Sequence, residues 1–143
     1  GRSYEHAGEA RLCAVWVSRV LSTGLAQPTQ MGVIGLYRPQ AAACARALAA
    51  AGVQGVQAAT VDAFQGGERE VIVLSCGRST AAIGTDNFAS CPRRLNVALS
   101  RARRHIIALG SEAFLAGHPQ LSHLLAAARS RGAVHHARTV LAG

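Results

Sequence analysis

Apolar residues fall along this 143-residue chain in two rhythms, one near 3.6 residues and one an unbroken run. From 9 to 22, Leu12, Val15, Trp16, Val20 and Leu21 recur at helical spacing, with Glu9 at the start, Arg19 near the end and Gly24 as the stop. The segment 31–36 is a continuous apolar run that predicts a short buried strand, broken by Tyr37, Arg38 and Pro39. Alanine-rich 40–51 predicts a helix closed by Gly52, and 56–59 predicts a second strand. A loop follows over 60–67. The strand pattern is strongest at 70–76, where Val71, Ile72, Val73 and Leu74 stand in sequence. Small and polar residues over 77–90 predict a surface loop.

The stretch from Pro92 to Leu109 carries Arg93, Arg94, Arg101, Arg103 and Arg104 threaded through Leu95, Val97, Leu99 and Ala102. That spacing predicts a helix running past Arg101, followed by a strand over 105–109. On it, Leu95, Leu99 and Ala102 share an apolar face, and Arg94 and Arg101 share a second face with Ala98. Arg103 lies near Asn96 on a third. Such a helix can lie on a core and hold anions, with the small Ala98 and Ala102 leaving room for a partner beside Arg101. A solvated basic face is the plainer alternative. An amphipathic helix over 119–131 and a last edge strand over 134–141 complete the pattern. Apolar strands alternating with helices predict an α/β fold, a mainly parallel sheet covered on both faces. One domain, 1–143, is expected, with 126–143 as a peripheral tail.

Composition narrows the ligand. Apolar residues make up 50% of the chain and charged residues 15%, a globular balance. The net charge of +8 comes entirely from arginine, since the chain has no lysine, and it favours polyanions: nucleic acid, nucleotide or an acidic surface. Cys13, Cys44, Cys76 and Cys91 form no C-x-x-C and have no histidine at ligand spacing, so neither a metal site nor a disulfide framework is expected. His135 and His136 read as a solvated tail. No run reaches the roughly 18 to 20 apolar residues of a membrane span, and no signal peptide opens the chain. No membrane partner is expected, and an intracellular location, cytoplasmic or nuclear, fits best. Met31 is the sole methionine, so the chain reads as part of a longer protein.

In parallel sheets, ligands sit outside the carboxyl ends of the strands. There Tyr37 offers a ring to stack on a base, or packs the strand end, and Gln40 offers an amide to orient a base. In the 60–68 loop, Gly66 and Gly67 allow close backbone approach to phosphate, or simply make a turn. Phe64 would pin that loop to the core.

Two longer motifs are specific. TVDAFQGGEREVIVLSC (60–76) and RRLNVALSRARRHIIALG (93–110) resemble motifs V and VI of superfamily 1 helicases, most closely the Upf-type branch that includes the nonsense-decay helicase and senataxin. MGVIGLYRPQ (31–40) resembles motif IV of the same group. The likeness runs in order from about Ser3 to about Leu125. It implies the second RecA-like domain of a two-domain motor, a three-layer sandwich of P-loop NTPase type. By the resemblance, Arg101 is the arginine finger for the γ-phosphate of ATP held with Mg²⁺ mainly by the first RecA-like domain. Glu68 contacts the ribose, Gly66 lies beside the phosphates, and Tyr37 packs on the base. Thr60 contacts the nucleic-acid backbone. Gln65 and Arg94 also lie inside the motifs, Gln65 on the nucleic-acid side and Gln40 and Arg94 on the ATP side. The chain departs from the pattern at Gly35-Leu36, where Thr-Pro is usual, at Ser100 in place of threonine, and at Gly67.

No G-x-x-x-x-G-K-[ST] is present, so the phosphate cradle and Mg²⁺ ligands are expected from the first RecA-like domain, and this chain by itself is expected to be inactive. The expected function is the motor half of an ATP-dependent helicase acting on single-stranded or duplex RNA or DNA. A non-catalytic nucleic-acid-binding module with the same fold is the alternative, and a nucleotide-binding enzyme of another α/β family is the third reading.

Overall fold

The computed structural model describes residues 7–77 and 92–135. Four parallel strands form one sheet in the order β2-β1-β3-β4, comprising β1 (Met31–Gly35), β2 (Gln57–Ala59), β3 (Arg69–Ser75) and β4 (Ala102–Leu109). Side chains alternate across it as strand geometry requires. Met31, Val33, Val71 and Val73 face one core, with α1 (Ala7–Ser22) and α2 (Arg38–Ala50). Ile34, Ile72 and Leu74 face a second, with α3 (Pro92–Leu99), α4 (Glu112–Ala116) and α5 (Pro119–Ser130). This is the expected three-layer RecA-like sandwich.

One connection explains an otherwise odd residue. The chain passes from β2 to β3 across β1 through the 60–68 loop, without a helix. Phe64 crosses directly over Gly32 of β1, where a β-carbon would stand 2.4 Å from the ring. Only glycine lets the loop lie this close. Gly35, where the family pattern has threonine, is similarly constrained: a β-carbon there would stand 2.6 Å from the Ala41 nitrogen. With no side chain at Gly35, α2 sits directly on the strand end.

The stretch 92–109 differs from its predicted form. The helix stops at Leu99 and β4 begins at Ala102, three residues before the expected strand. Arg101 therefore lies in the turn between them, not in mid-helix. Two forces end the helix there. The Ser100 hydroxyl donates to the Val97 carbonyl at 2.9 Å and the Arg101 Nε donates to the same oxygen at 3.2 Å, satisfying a terminal acceptor. Meanwhile the Arg69 amide claims the Arg101 carbonyl at 2.8 Å, starting the ladder of β4 on β3. The apolar stripe is Leu95 and Ala98, both fully buried, with Leu99 partly so. Ala98 is core and leaves no opening beside Arg101, whereas Val97 is 41% exposed.

The predicted helices at 9–22, 40–51 and 119–131 and strands at 31–36, 56–59 and 70–76 are present with ends moved by up to two residues. Short α4 was missed; Ser111 caps it by accepting from the Phe114 amide at 3.0 Å. The 77–90 loop, save Gly77, lies outside the described residues. So does most of the expected strand over 134–141, of which Val134 and His135 are described and are not in a strand. Residues 126–130 are the end of α5.

Candidate functional site

All four described strands point one way, so the sheet has a carboxyl end and an amino end, about 20 Å apart along β3 at roughly 3.3 Å per residue. The predicted residues divide between them. Tyr37, Gln40 and Thr60 follow β1 and β2 at the carboxyl end; Gly66, Glu68 and Arg101 precede β3 and β4 at the amino end.

At the carboxyl end the side chains turn inward. Tyr37 is the N-cap residue of α2, and its ring is buried in the second core. Gln40, fully buried one helical turn later, donates from Nε2 to the Ser75 hydroxyl at 2.9 Å and lies 3.5 Å from the Glu9 carboxylate. Glu9, which sequence reasoning used only as a helix-start signal, is the centre of this group. Its Oε2 accepts from the Gly77 amide at 2.8 Å and from the Ser75 hydroxyl. Burial pushes its carboxyl up to about 7, against the lowering effect of the hydrogen bonds from Ser75, Gly77 and Cys76. Cys13 and Cys44 pack beside it, and the hydrogen bond with Cys44, together with burial, holds the Cys13 thiol far above its usual range. These groups occupy the crevice where β1 and β3 send their connections to opposite faces, the usual ligand position in such sheets. The fold fills that crevice with its own carboxyl group. Neither Tyr37 nor Gln40 presents an open face there.

The amino end is different. Gly66 and Gly67 both have left-handed backbone, φ 86° and 74°, a pairing that side-chain-bearing residues rarely adopt. The Arg101 guanidinium lies beside them, 4.0 Å from where a Gly67 β-carbon would be, with its NH2 3.3 Å from the Ser100 hydroxyl. Glu68 pairs with Arg103 at 3.3 Å. A bulge in β4 between the Arg69–Ala102 and Val71–His105 pairs sets Arg103 and Arg104 against the single Glu70, at 3.6 and 3.0 Å. Arg103 and Arg104, on β4 and not on a third face of a helix, are thus paired at this end.

Between the ends, the 60–68 loop and α3 run side by side. Near the start of α3, Arg94 pairs with Asp62 at 3.4 Å, and past its end Arg101 meets Gly67. The helix is eight residues, roughly 12 Å, long, so Arg94 and Arg101 serve different ends. Thr60 is half-buried, its carbonyl accepting from the Ala63 amide at 3.1 Å. Gln65 is exposed. Among the described residues no group of three or more His, Cys, Asp or Glu side chains could hold a metal ion, and no helix is long and apolar enough to cross a membrane. A separate apolar trough of about 530 Å³ runs along the outer edge of β4, between Trp16, Ile107, Leu121 and Val134, and is lined by none of the candidate site residues.

The Gly66-Gly67 turn of the 60–76 motif and Arg101 of the 93–110 motif thus converge on one end of a parallel α/β domain. The chain matches the family described as AAA domain over residues 1–113 and belongs to it. Its motifs and its relatives place it in the Upf-type branch of superfamily 1 helicases. It is 38% identical over 131 residues to the regulator of nonsense transcripts 1 homolog of Neurospora crassa, covering 87% of this chain and 12% of that protein. It is 35% identical over 138 residues to the ATP-dependent helicase upf1 of Schizosaccharomyces pombe, covering 92% and 15%. With the 5'-3' DNA helicase ZGRF1 of Mus musculus the figures are 37% over 114 residues, 76% and 6%. The chain thus spans a small fraction, 6 to 15%, of the length of these relatives.

Proposed function

We propose that this chain is the C-terminal motor domain of an ATP-dependent superfamily 1 helicase, and that its amino end faces the nucleotide. The meeting of Arg101 with the Gly66-Gly67 turn carries this reading, because it brings a cation and an exposed, left-handed backbone to one point. In the proposed closed state, Arg101 places its guanidinium on the γ-phosphate of ATP held by the first RecA-like domain. There it offsets charge that builds on the phosphoryl oxygens as water attacks and ADP leaves. Glu68 exchanges Arg103 for the ribose hydroxyls, and the backbone at Gly66 approaches the phosphates. Mg²⁺ is held by ligands outside this chain.

The carboxyl end is proposed to meet the nucleic-acid strand. Thr60, flanked by the Asp62–Arg94 pair, contacts a backbone phosphate, and Gln65 lies farther along the same loop. Grip is mainly electrostatic, so it weakens with salt and tolerates sequence. Closure of the two domains around ATP and their release after hydrolysis would move the strand.

The test is Arg101→Ala in the full-length protein carrying this chain. Turnover should fall by roughly 10³ or more, with strand affinity kept within about threefold. Unchanged turnover would sink the assignment and favour a non-catalytic binding module.

A further inference from the structure

The 65–68 loop has no helix, and apart from the Glu68–Arg103 pair one residue holds it from inside. We propose that Arg69 is the positioning residue that sets this loop for nucleotide, an inference that rests on the reading of Gly66, Glu68 and Arg101 as the nucleotide-facing set. Arg69 opens β3 and is half-buried. Its guanidinium donates to the Gln65 carbonyl at 2.9 Å, the Glu68 carbonyl at 3.2 Å and, more weakly, the Gly67 carbonyl at 3.5 Å. A further N–H reaches the Gln57 side-chain oxygen on β2 at 3.1 Å, and the guanidinium lies 4.8 Å from the centroid of the Phe64 ring. Phe64 in turn rests on Gly32. The loop is therefore tied through one planar cation to two strands and to the core.

The consequence for a ligand follows from peptide geometry. In a planar trans peptide the carbonyl and the next N–H point in opposite directions. Turning the Gln65 and Gly67 carbonyls toward Arg69 turns the Gly66 and Glu68 amides away from it. Among the described residues neither amide has a backbone acceptor. The Glu68 carbonyl obeys the same logic: the Arg69 amide beyond it donates to the Arg101 carbonyl at 2.8 Å. Three carbonyls are gathered inward, and the Gly66 and Glu68 amides turn the other way, on the loop whose Gly67 lies beside the Arg101 side chain. That polarity suits an anion. Lysine would substitute only in part, since a point donor reaches fewer of these carbonyls at once than the guanidinium fork.

The experiment compares Arg69→Ala, Arg69→Lys and Arg101→Ala in the full-length protein. Binding of a non-hydrolysable ATP analogue is measured by calorimetry, beside steady-state turnover. Arg69→Ala should weaken analogue binding and raise KM by about tenfold while kcat stays within about threefold, and Arg69→Lys should lie between it and the parent. Millimolar guanidinium should restore part of the affinity to Arg69→Ala and none of the turnover to Arg101→Ala. If Arg69→Ala does not fold, Arg69→Lys carries the test, with the same split of KM from kcat. Parent-like affinity in the Arg69 variants, with turnover lost in Arg101→Ala, overturns the role of Arg69 alone. Parent-like turnover in Arg101→Ala overturns the reading beneath it.

Discussion

The two ends of the sheet are built from similar materials and put to opposite uses. At the carboxyl end, Glu9, Gln40 and Ser75 are all buried and bond to one another, and the Gly77 amide completes the set. Polar capacity there is consumed within the fold. At the amino end, Arg101 is half-buried, Glu68 is exposed, and the glycine turn keeps its amides free of backbone acceptors among the described residues. A doubly wound sheet usually takes its ligand at the first position. On the proposed reading, the position of the crevice matters less than whether its polar groups are already spent.

The sharpest way to break this contrast is at Arg101. If the amino end is the nucleotide face, Arg101→Ala removes roughly 10³ in turnover, about 4 kcal/mol of transition-state stabilisation. A comparable loss from a folded Gln40 variant would instead restore the carboxyl end as the nucleotide face.

Next in size is the buried carboxyl. Glu9 is raised from an ordinary 4.5 to about 7, chiefly by burial. Below the lower value it is protonated in both folded and unfolded chains. Between the two, the folded chain keeps a proton that the unfolded chain has released, so stability falls as pH rises across that window. The total is up to about 3 kcal/mol, levelling off above the folded value. Glu9→Gln keeps an acceptor for Gly77 and removes the titration, so its thermal melts at pH 5 and pH 8 should differ less than the parent's. An equally steep dependence in Glu9→Gln would mean that the crevice is not dry.

The smallest effect expected is at Arg94. Its pair with Asp62 is exposed, and Arg94→Ala should change stability by less than about 1 kcal/mol. Turnover should also hold within about threefold, because α3 carries Arg94 away from Arg101. A loss as large as that of Arg101→Ala would rejoin the two arginines in one site.

Much of this was legible in the chain. Runs such as Val71 to Leu74 can be satisfied only by burial on two faces, and the motifs around Gly66 and Arg101 are long enough to be specific. Periodicity misled at one place. Leu95, Leu99 and Ala102 fit a helix, but Ala102 belongs to the alternation of β4, and the ladder from Arg69 decides between them. The division of the site into two ends was hidden because the 60–68 loop belongs to both: it leaves the carboxyl end of β2 and arrives at the amino end of β3. Glu9 gave no signal beyond its helix start, since its partners lie 31 to 68 residues away. Arg69 was likewise hidden as one more charge beside Glu68 and Glu70, because its acceptors are backbone carbonyls that no residue pattern marks.

The central claim, that nucleotide approaches the amino end, can be read without any mutation. Amide hydrogen exchange in the full-length protein, with and without a non-hydrolysable ATP analogue, should show slowed exchange at Gly66 to Glu68 and around Arg101, with the amides of 37–40 unchanged. Protection at 37–40 with no change at Gly66 to Glu68 would contradict it.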